Sequence, residues 1–456
     1  MGNAMFEFDP AMTDMILTAC RERLRIDPVP LDFGGLVSSL DAELAGIMRP
    51  EGSDAAQVLE LFMDKLATAV VSCDSPRFLS FIPAAPTKAS LLFDMFVSCS
   101  SLHGTSWLEA AGVVVAENQA LAVLAAQAGF PATAGGCFVS GGSAGNLSAL
   151  MVARDTAAHR RGAAAPQRPL VAVSADAHSS VGKALHVLGM GVVTVPALEH
   201  RLTGHALAAT LRDDPRGGDV VGVVATAGTT NAGIVDDLDG VADVAREHAL
   251  WFHIDAAYGG AAALFAPSAR ALFRGFDRAD SFIVDPHKWL FAPFDCAALL
   301  YRRPNLAKAV HTQDAQYLEV LHSENPEEWN PSDYAYHLTR RARGLPLWFS
   351  LAVNGLDAYR DAVEAGLAIA QHAAERIRRA PHVELVREPG LSIVLFRRPG
   401  WSKPDYDAWS ALLLHDQIGF VTPTSWEGET VARFAFLHPN ATVEMVDEIL
   451  ASLAEP

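Results

Sequence analysis

The chain has 456 residues, half of them hydrophobic, with 53 acidic against 35 basic side chains and a formal charge of −18. Such length and apolar content allow a large core and more than one domain, while the acidity excludes nucleic acid and anionic membrane as partners, since both require basic patches that displace counterions. Five cysteines (Cys20, Cys73, Cys99, Cys137, Cys296), odd in number and without CxxC or Cys/His spacing, exclude a disulfide framework and a metal site and fit a reducing cytoplasm.

The amino terminus carries neither a basic n-region nor an apolar h-region, and Phe6 stands where a myristoylation signal requires Ser or Thr, so export and lipid anchoring are not expected. Residues 1–80 read as an N-terminal helical segment punctuated by Pro28, Pro30 and Pro50. The apolar stretch 110–132 is interrupted by Glu117, Asn118 and Gln119, which predicts a buried helix rather than a membrane span. From 170 to 303, short β-rich runs at 170–174, 192–196, 220–225, 251–254, 281–284 and 296–301 alternate with helical patterns such as 238–248. Continuous apolar strands separated by helices describe an α/β protein with a mostly parallel sheet covered on both faces, here a large domain over 81–345. Beyond Gly344-Leu-Pro346 the pattern predicts a helix over 356–379, a strand at 391–397, a helix at 405–418, a strand at 431–437 and a closing helix from 443. These form a small C-terminal α+β domain over 346–456.

Lys288 follows His287 where the apolar run 281–284 ends, and a lysine there is costly to desolvate unless its amine has a chemical task. Imine formation with an aldehyde cofactor is the commonest such task. Asp255 ends the apolar run 250–254 in the same way. Ligands in parallel sheets collect beyond the carboxyl ends of the strands, where His178, Thr226, Asp255 and Lys288 all fall. The turn Ser140-Gly-Gly-Ser143 precedes an apolar helix at 147–154. Its backbone N–H groups and the Ser143 hydroxyl suit a phosphate, although alone the turn reads equally as a helix cap. A pyridoxal phosphate site needs a phosphate cradle, an anion for the pyridine nitrogen, a flat group on the ring and an imine lysine. Gly142 with Ser143, Asp255, His178 and Lys288 supply those four parts.

With these residues the chain resembles the group II pyridoxal-dependent amino acid decarboxylases of fold type I, which include aromatic amino acid, histidine, glutamate and diaminobutyrate decarboxylases. The resemblance runs over 78–343 and is densest in Ser140-Gly-Gly-Ser143, Ala177-His-Ser-Ser180, Ala225-Thr-Ala-Gly-Thr-Thr230, His253-Ile-Asp-Ala-Ala-Tyr258 and the run 279–289. It implies a mostly parallel seven-stranded sheet flanked by helices and a pyridoxal 5'-phosphate cofactor. His178 would then stack on the ring, Asp255 pair with the pyridinium, Ala257 pack on the opposite face, and Thr226 lie near the ring. Gly142, Ser143 and His287 would approach the phosphate. Asp285 stands at a phosphate-contacting position that is often Asn in the family, and its charge would repel that group. Thr339 stands where the family often has a glycine near the phosphate.

The resemblance also implies a homodimer with shared active sites, because a mobile loop carrying Tyr317 would reach the neighbouring site and protonate the substrate Cα. Relatives that release aldehydes typically have phenylalanine there, so Tyr317 favours simple decarboxylation. Phe81, Pro83, His103, Thr105 and Trp107 lie in stretches that line the substrate pocket of relatives. Phe81 and Trp107 read equally as pocket walls or as core, while His103 and Thr105 stand where aromatic-specific relatives have apolar groups. The expected activity is decarboxylation of an L-amino acid, with an aromatic one leading and glutamate or diaminobutyrate as alternatives. An aldehyde synthase or aminotransferase on the same scaffold, and a noncatalytic cofactor-binding homologue, are the other readings. A Rossmann oxidoreductase would leave Lys288 and Asp255 without roles.

Overall fold

The structure, a computed structural model, describes residues 4–32, 37–83, 85–321, 325 and 328–454. Residues 1–3 and 33–36 of the terminal segment and Ala84 of the expected pocket-lining run 78–85 lie outside the described residues. Helix α1 (Pro10–Arg25) starts on an Asp9 cap, whose carboxylate accepts from the Met12 N–H at 3.0 Å, with proline at its first position. Helices α2 (Val37–Glu43) and α3 (Ala55–Leu61) follow. Neither α1 nor α3 has a buried residue in the single chain, and Phe6, Phe8, Ile16 and Leu17 are exposed.

The central part runs α4 (Lys88–Cys99), α5 (Trp107–Gln127), β1 (Gly135–Val139), α6 (Gly142–Arg161), β2 (Leu170–Ser174), α7 (Ser179–Val187), β3 (Gly191–Val195), α8 (Gly204–Asp213) and β4 (Val220–Thr226). It continues through α9 (Leu238–Glu247), β5 (Trp251–Asp255), α10 (Gly260–Phe265), β6 (Ser281–Val284), β7 (Ala297–Tyr301) and α11 (Pro304–His311). The seven strands form one sheet in the order β1-β7-β6-β5-β4-β2-β3. Only β7 runs against its neighbours; the pairs β6/β5, β5/β4, β4/β2 and β2/β3 are parallel. Helices cover both faces, so β4 and β5 are buried at every position, whereas the edge strand β3 alternates buried and exposed.

The six strands predicted over 170–301 are present as β2 to β7, within a residue or so at their ends. Strand β1 was not among them, because Gly135-Gly136 reads as a turn. Glycine is required there for another reason: a Cβ on Gly136 would lie 1.9 Å from the Leu299 carbonyl oxygen of β7. Helix α5 is the expected buried helix. It packs against β1 and the long helix that follows Gly344, and its Glu117 is held by the buried Arg340 guanidinium and by the Gly344 N–H at 2.8 Å. This helix is long and apolar enough to span a bilayer, and it is buried along one face, through Val113, Val114, Glu117, Ala120, Leu121, Leu124 and Ala125.

The C-terminal part opens with α12 (Leu345–Arg379), which begins earlier than the predicted 356–379 and is broken at Gly355, where φ is 78°. It continues with β8 (Glu384–Leu385), β9 (Ile393–Arg397), α13 (Lys403–His415), β10 (Pro423–Trp426), β11 (Glu429–Ala435) and α14 (Val443–Ser452). Its four strands form a separate antiparallel sheet, β10-β11-β9-β8. The pattern missed β8, which is two residues long, and β10, which starts with a proline.

Candidate active site

Parallel strands bring their carboxyl ends to one edge of the sheet. Thr226 ends β4 and Asp255 ends β5, paired in register; Asp285 to Lys288 follow β6; His178 follows β2 as the cap of α7. Helix α6 starts three residues after β1 and points its N-terminus at the same place. The result is a cavity of about 240 Å³ whose walls include Gly142, Ser143, His178, Thr226, Asp255, Ala257, Asp285, His287 and Lys288. Nine of the ten expected cofactor-facing residues are therefore brought together. The tenth, Thr339, is exposed and does not line this cavity.

Side chains two apart on a strand share a face, and on β5 that face carries Trp251, His253 and Asp255. Their polar atoms form a continuous buried ladder against α6. The Trp251 Nε1–H donates to Ser281 Oγ at 2.9 Å, and His253 Nδ1 is 2.8 Å from the same oxygen. His253 Nε2 is 2.9 Å from Asn146 Oδ1, and Asn146 Nδ2 donates to Asp255 Oδ2 at 2.9 Å. The Ala257 N–H donates to the other Asp255 oxygen at 3.2 Å. Two donors thus fix the orientation of this buried carboxylate at the end of β5. Burial pulls His253 down to about 4, so its ring is neutral around pH 7.

The opposite wall is built on charge. Asp285, 2% exposed, accepts from the Gly142 N–H at 3.1 Å and faces Lys288 Nζ at 3.0 Å and His287 Nε2 at 3.5 Å. Burial works against its charge, but Lys288 and His287 outweigh it and hold the carboxyl below its usual range. Burial likewise works against the Lys288 ammonium, and Asp285 with Asp255 more than offset it, so the lysine is raised. His287 Nδ1 accepts from the Cys296 N–H at 2.9 Å, which places its proton on Nε2. A Cβ on Gly142 would meet Ala257 Cβ and Asp285 Oδ2 at 3.2 Å, so only glycine keeps the mouth of α6 open.

The expected substrate and loop residues lie elsewhere. Tyr317 is 72% exposed, outside the cavity. His103 bridges to Arg341, the Gly104 N–H donates to the Arg340 carbonyl, and the Trp107 N–H donates to Asn330 Oδ1. His103, Thr105 and Trp107 thus pack along the 330–341 connection, on the same side as Thr339. Phe81, 61% exposed with φ of 50°, touches the rings of Phe78 and Phe420; Pro83 lies two residues on, partly buried.

Four residues of this region were not singled out from the sequence: Asn146, Ser180, His253 and Arg433. His253 had a readable signal, a polar residue two positions before Asp255 in an otherwise apolar strand. Arg433 of β11 is buried and donates to the carbonyls of Phe81 at 2.7 Å and of Thr230, a cavity residue, at 2.8 Å. Burial pulls its guanidinium down to about 10, and among the described residues no carboxylate pairs with it.

The chain's own donor set fits pyridoxal phosphate. It offers a lysine amine inside a cavity, a carboxylate at a strand end, an imidazole on the wall, and the N-terminus of a 20-residue helix with Ser143 beside it. Thr226 Oγ1 and Asp285 Oδ1 are buried without partners among the described residues, which leaves polar capacity for a ligand. Fold and cavity together define a pyridoxal-phosphate enzyme of fold type I. The chain belongs to the pyridoxal-dependent decarboxylase family, whose conserved-domain model matches residues 43–398.

It is 30% identical over 414 residues to an aromatic-L-amino-acid decarboxylase of Bacillus atrophaeus, spanning 88% of this chain and 85% of that one. It is 31% identical over 412 residues to an L-2,4-diaminobutyrate decarboxylase of Rhizobium meliloti, spanning 88% and 81%. Among solved structures it matches that of Oryza sativa TDC with PLP and tryptamine, with a TM-score of 0.89 at 24% identity over 98% of this chain and 99% of that one, which shows the fold. The protein is accordingly a pyridoxal-phosphate-dependent carboxy-lyase of amino acids.

Proposed function

We propose that the substrate is an aromatic L-amino acid and that the products are the corresponding amine and CO₂. The observation that carries this is the ring cluster of Phe78, Phe81 and Phe420, tied to the cavity wall by the Arg433 bonds to Phe81 and Thr230. A φ of 50° is costly for phenylalanine, and here it accompanies an exposed ring. The Bacillus atrophaeus relative, named for aromatic amino acids, supports the same reading. A second reading, a diamino acid, is favoured by the Asp176 carboxylate on the cavity wall and by the Rhizobium meliloti relative.

Bound pyridoxal phosphate supplies the sink for the electron pair left on Cα as CO₂ departs. Ser143 and His287 would hold its phosphate at the turn opened by Gly142, whose own N–H is given to Asp285, and Asp255, held by Asn146 and Ala257, would hold a proton at the ring nitrogen. His178 and Ala257 would flank the ring, with Thr226 at its edge. Lys288 would hold the cofactor covalently only as a neutral amine, and Asp285 Oδ2, 3.0 Å away, is placed to take its proton. Tyr317 would return a proton to Cα.

A homodimer with shared sites completes this arrangement. Tyr317, Thr339, His103, Thr105 and Trp107 do not reach the cavity of their own chain, and α1 and α3 leave apolar residues uncovered, as do Leu92 and Phe96 on α4. We place the three-part division at residues 80 and 345, supported by the separate sheets, and the protein in the cytoplasm, supported by five free cysteines. The test is a panel of L-amino acids given to the cofactor-loaded protein with CO₂, amine and aldehyde recorded together. Amine with stoichiometric CO₂ from tryptophan, tyrosine or dihydroxyphenylalanine supports the first reading; turnover of diaminobutyrate alone replaces it with the second, and aldehyde removes both.

A further inference from the structure

The geometry points to Asn146 as a positioning residue that locks the Asp255 carboxylate and the His178 imidazole into one hydrogen-bonded unit, with Ser180 as the link. The assignment rests on the reading of Asp255 and His178 as cofactor-facing groups; the linkage itself is a property of the chain.

Donor counting fixes the direction of every bond. Asn146 is 1% exposed, and its amide cannot flip without setting its oxygen against the Asp255 carboxylate. Oδ1 therefore faces His253, so His253 Nε2 carries a proton, and the neutral ring accepts from Ser281 at Nδ1. Nδ2 has two hydrogens. One goes to Asp255 Oδ2 at 2.9 Å and the other to Ser180 Oγ at 3.0 Å.

At Ser180 the direction continues. The Ser180 N–H lies 3.2 Å from His178 Nδ1 and can only donate, so Nδ1 is unprotonated. The Ser180 hydroxyl, 2.8 Å from the same nitrogen, must then donate to it while accepting from Asn146. His178 is thereby the neutral tautomer with its proton on Nε2, and that N–H has no acceptor among the described residues, leaving it for a ligand. One amide thus supports both the orientation of the Asp255 carboxylate and the tautomer of His178, two residues with no direct bond to each other.

The consequence is coupling at a distance: a change at Asn146 must appear in the ring of His178, which it does not touch. The experiment uses full-length protein with ¹⁵N-labelled histidine, in the cofactor-free and loaded forms, with the His178 signals assigned through His178→Gln. In the parent, His178 Nδ1 is expected to show the shift of an unprotonated ring nitrogen. Asn146→Leu, which keeps the volume and removes the amide, should move that signal toward a protonated or averaged nitrogen. Ser180→Ala should do the same with Asn146 intact, and guards against an Asn146→Leu protein that fails to fold. Asn146→Leu should also weaken cofactor binding on the order of tenfold, with the double variant no weaker than either single one by more than about twofold.

A His178 signal unchanged in Asn146→Leu but moved in Ser180→Ala would overturn the proposal, as would purely multiplicative losses of affinity. Failure of the parent to bind pyridoxal phosphate would instead remove the functional reading, and the cofactor-free spectra would still decide the linkage.

Discussion

Lys288 Nζ lies 3.0 Å from Asp285 Oδ2, and this pair holds the proton on the lysine proposed to capture the cofactor. Lys288→Ala should abolish covalent capture of the cofactor and nearly all turnover. Melting should stay cooperative, because the side chain is 26% exposed and supports no packed layer. Full activity in this variant would remove the central assignment.

Because Asp285 is the nearest anion raising Lys288, Asp285→Asn should let the amine lose its proton at lower pH. Every tenfold weakening of the hold on that proton raises the neutral fraction at pH 7 by about ten times. Capture of pyridoxal phosphate, followed by stopped-flow absorbance, should then be several-fold faster at pH 7 than in the parent and converge with it at high pH. A slower capture across the whole range would show that Asp285 is needed as the proton acceptor.

Tyr317→Phe should shift product from amine toward aldehyde or abortive transamination while leaving the melting temperature unaltered, since the ring is mostly exposed. The measurement is the amine-to-aldehyde ratio per CO₂ released; an unchanged ratio would sink the role given to Tyr317.

Glu117 and Arg340 form a buried pair that also carries the Gly344 N–H at the start of α12. Removing one partner of such a pair strands the other charge, and Glu117→Ala should cost about 3–5 kcal/mol in denaturant unfolding. A cost below about 1 kcal/mol would mean that water reaches Arg340 and solvates it.

Burial holds His253 at about 4 in the folded protein, whereas an unfolded histidine titrates near about 6.5. Between those values the unfolded chain binds the extra proton, so stability from this group is complete above about pH 6.5 and lost as the pH falls toward 4, by on the order of 3 kcal/mol. His311 and His337, lowered by burial to about 4 and about 3, act in the same direction. His253→Gln, which keeps a donor for Asn146 and an acceptor for Ser281, should flatten the slope of unfolding free energy against pH; an equally steep slope would assign it to the other two.

The large sheet was legible because its strands are continuous apolar runs, and a run such as Val220–Thr226 has no amphipathic alternative. Strand β1 was hidden because its glycines answer to the approach of β7, a long-range contact that no local pattern carries. At the site, residues at strand ends could be read in order along the chain. Asn146, Ser180 and Arg433 could not, since each needs at least one partner between 34 and 352 positions away. The stretches expected to face substrate were harder still: within one chain His103 and Trp107 pack on the 330–341 connection and Phe81 on Phe78 and Phe420 instead of lining the cavity.

Trp251, His253 and Asp255 sit on one face of a five-residue strand, which makes the parity of chain length a functional quantity. A one-residue insertion ahead of Asp255 within β5 would turn Asp255 away from α6 while its neighbours stayed in place. A two-residue insertion would restore the face but carry the carboxylate about 6.6 Å along the sheet, beyond reach of Asn146. Length variation in this lineage is therefore expected to gather in the loops flanking β5, leaving the spacing of these three residues fixed.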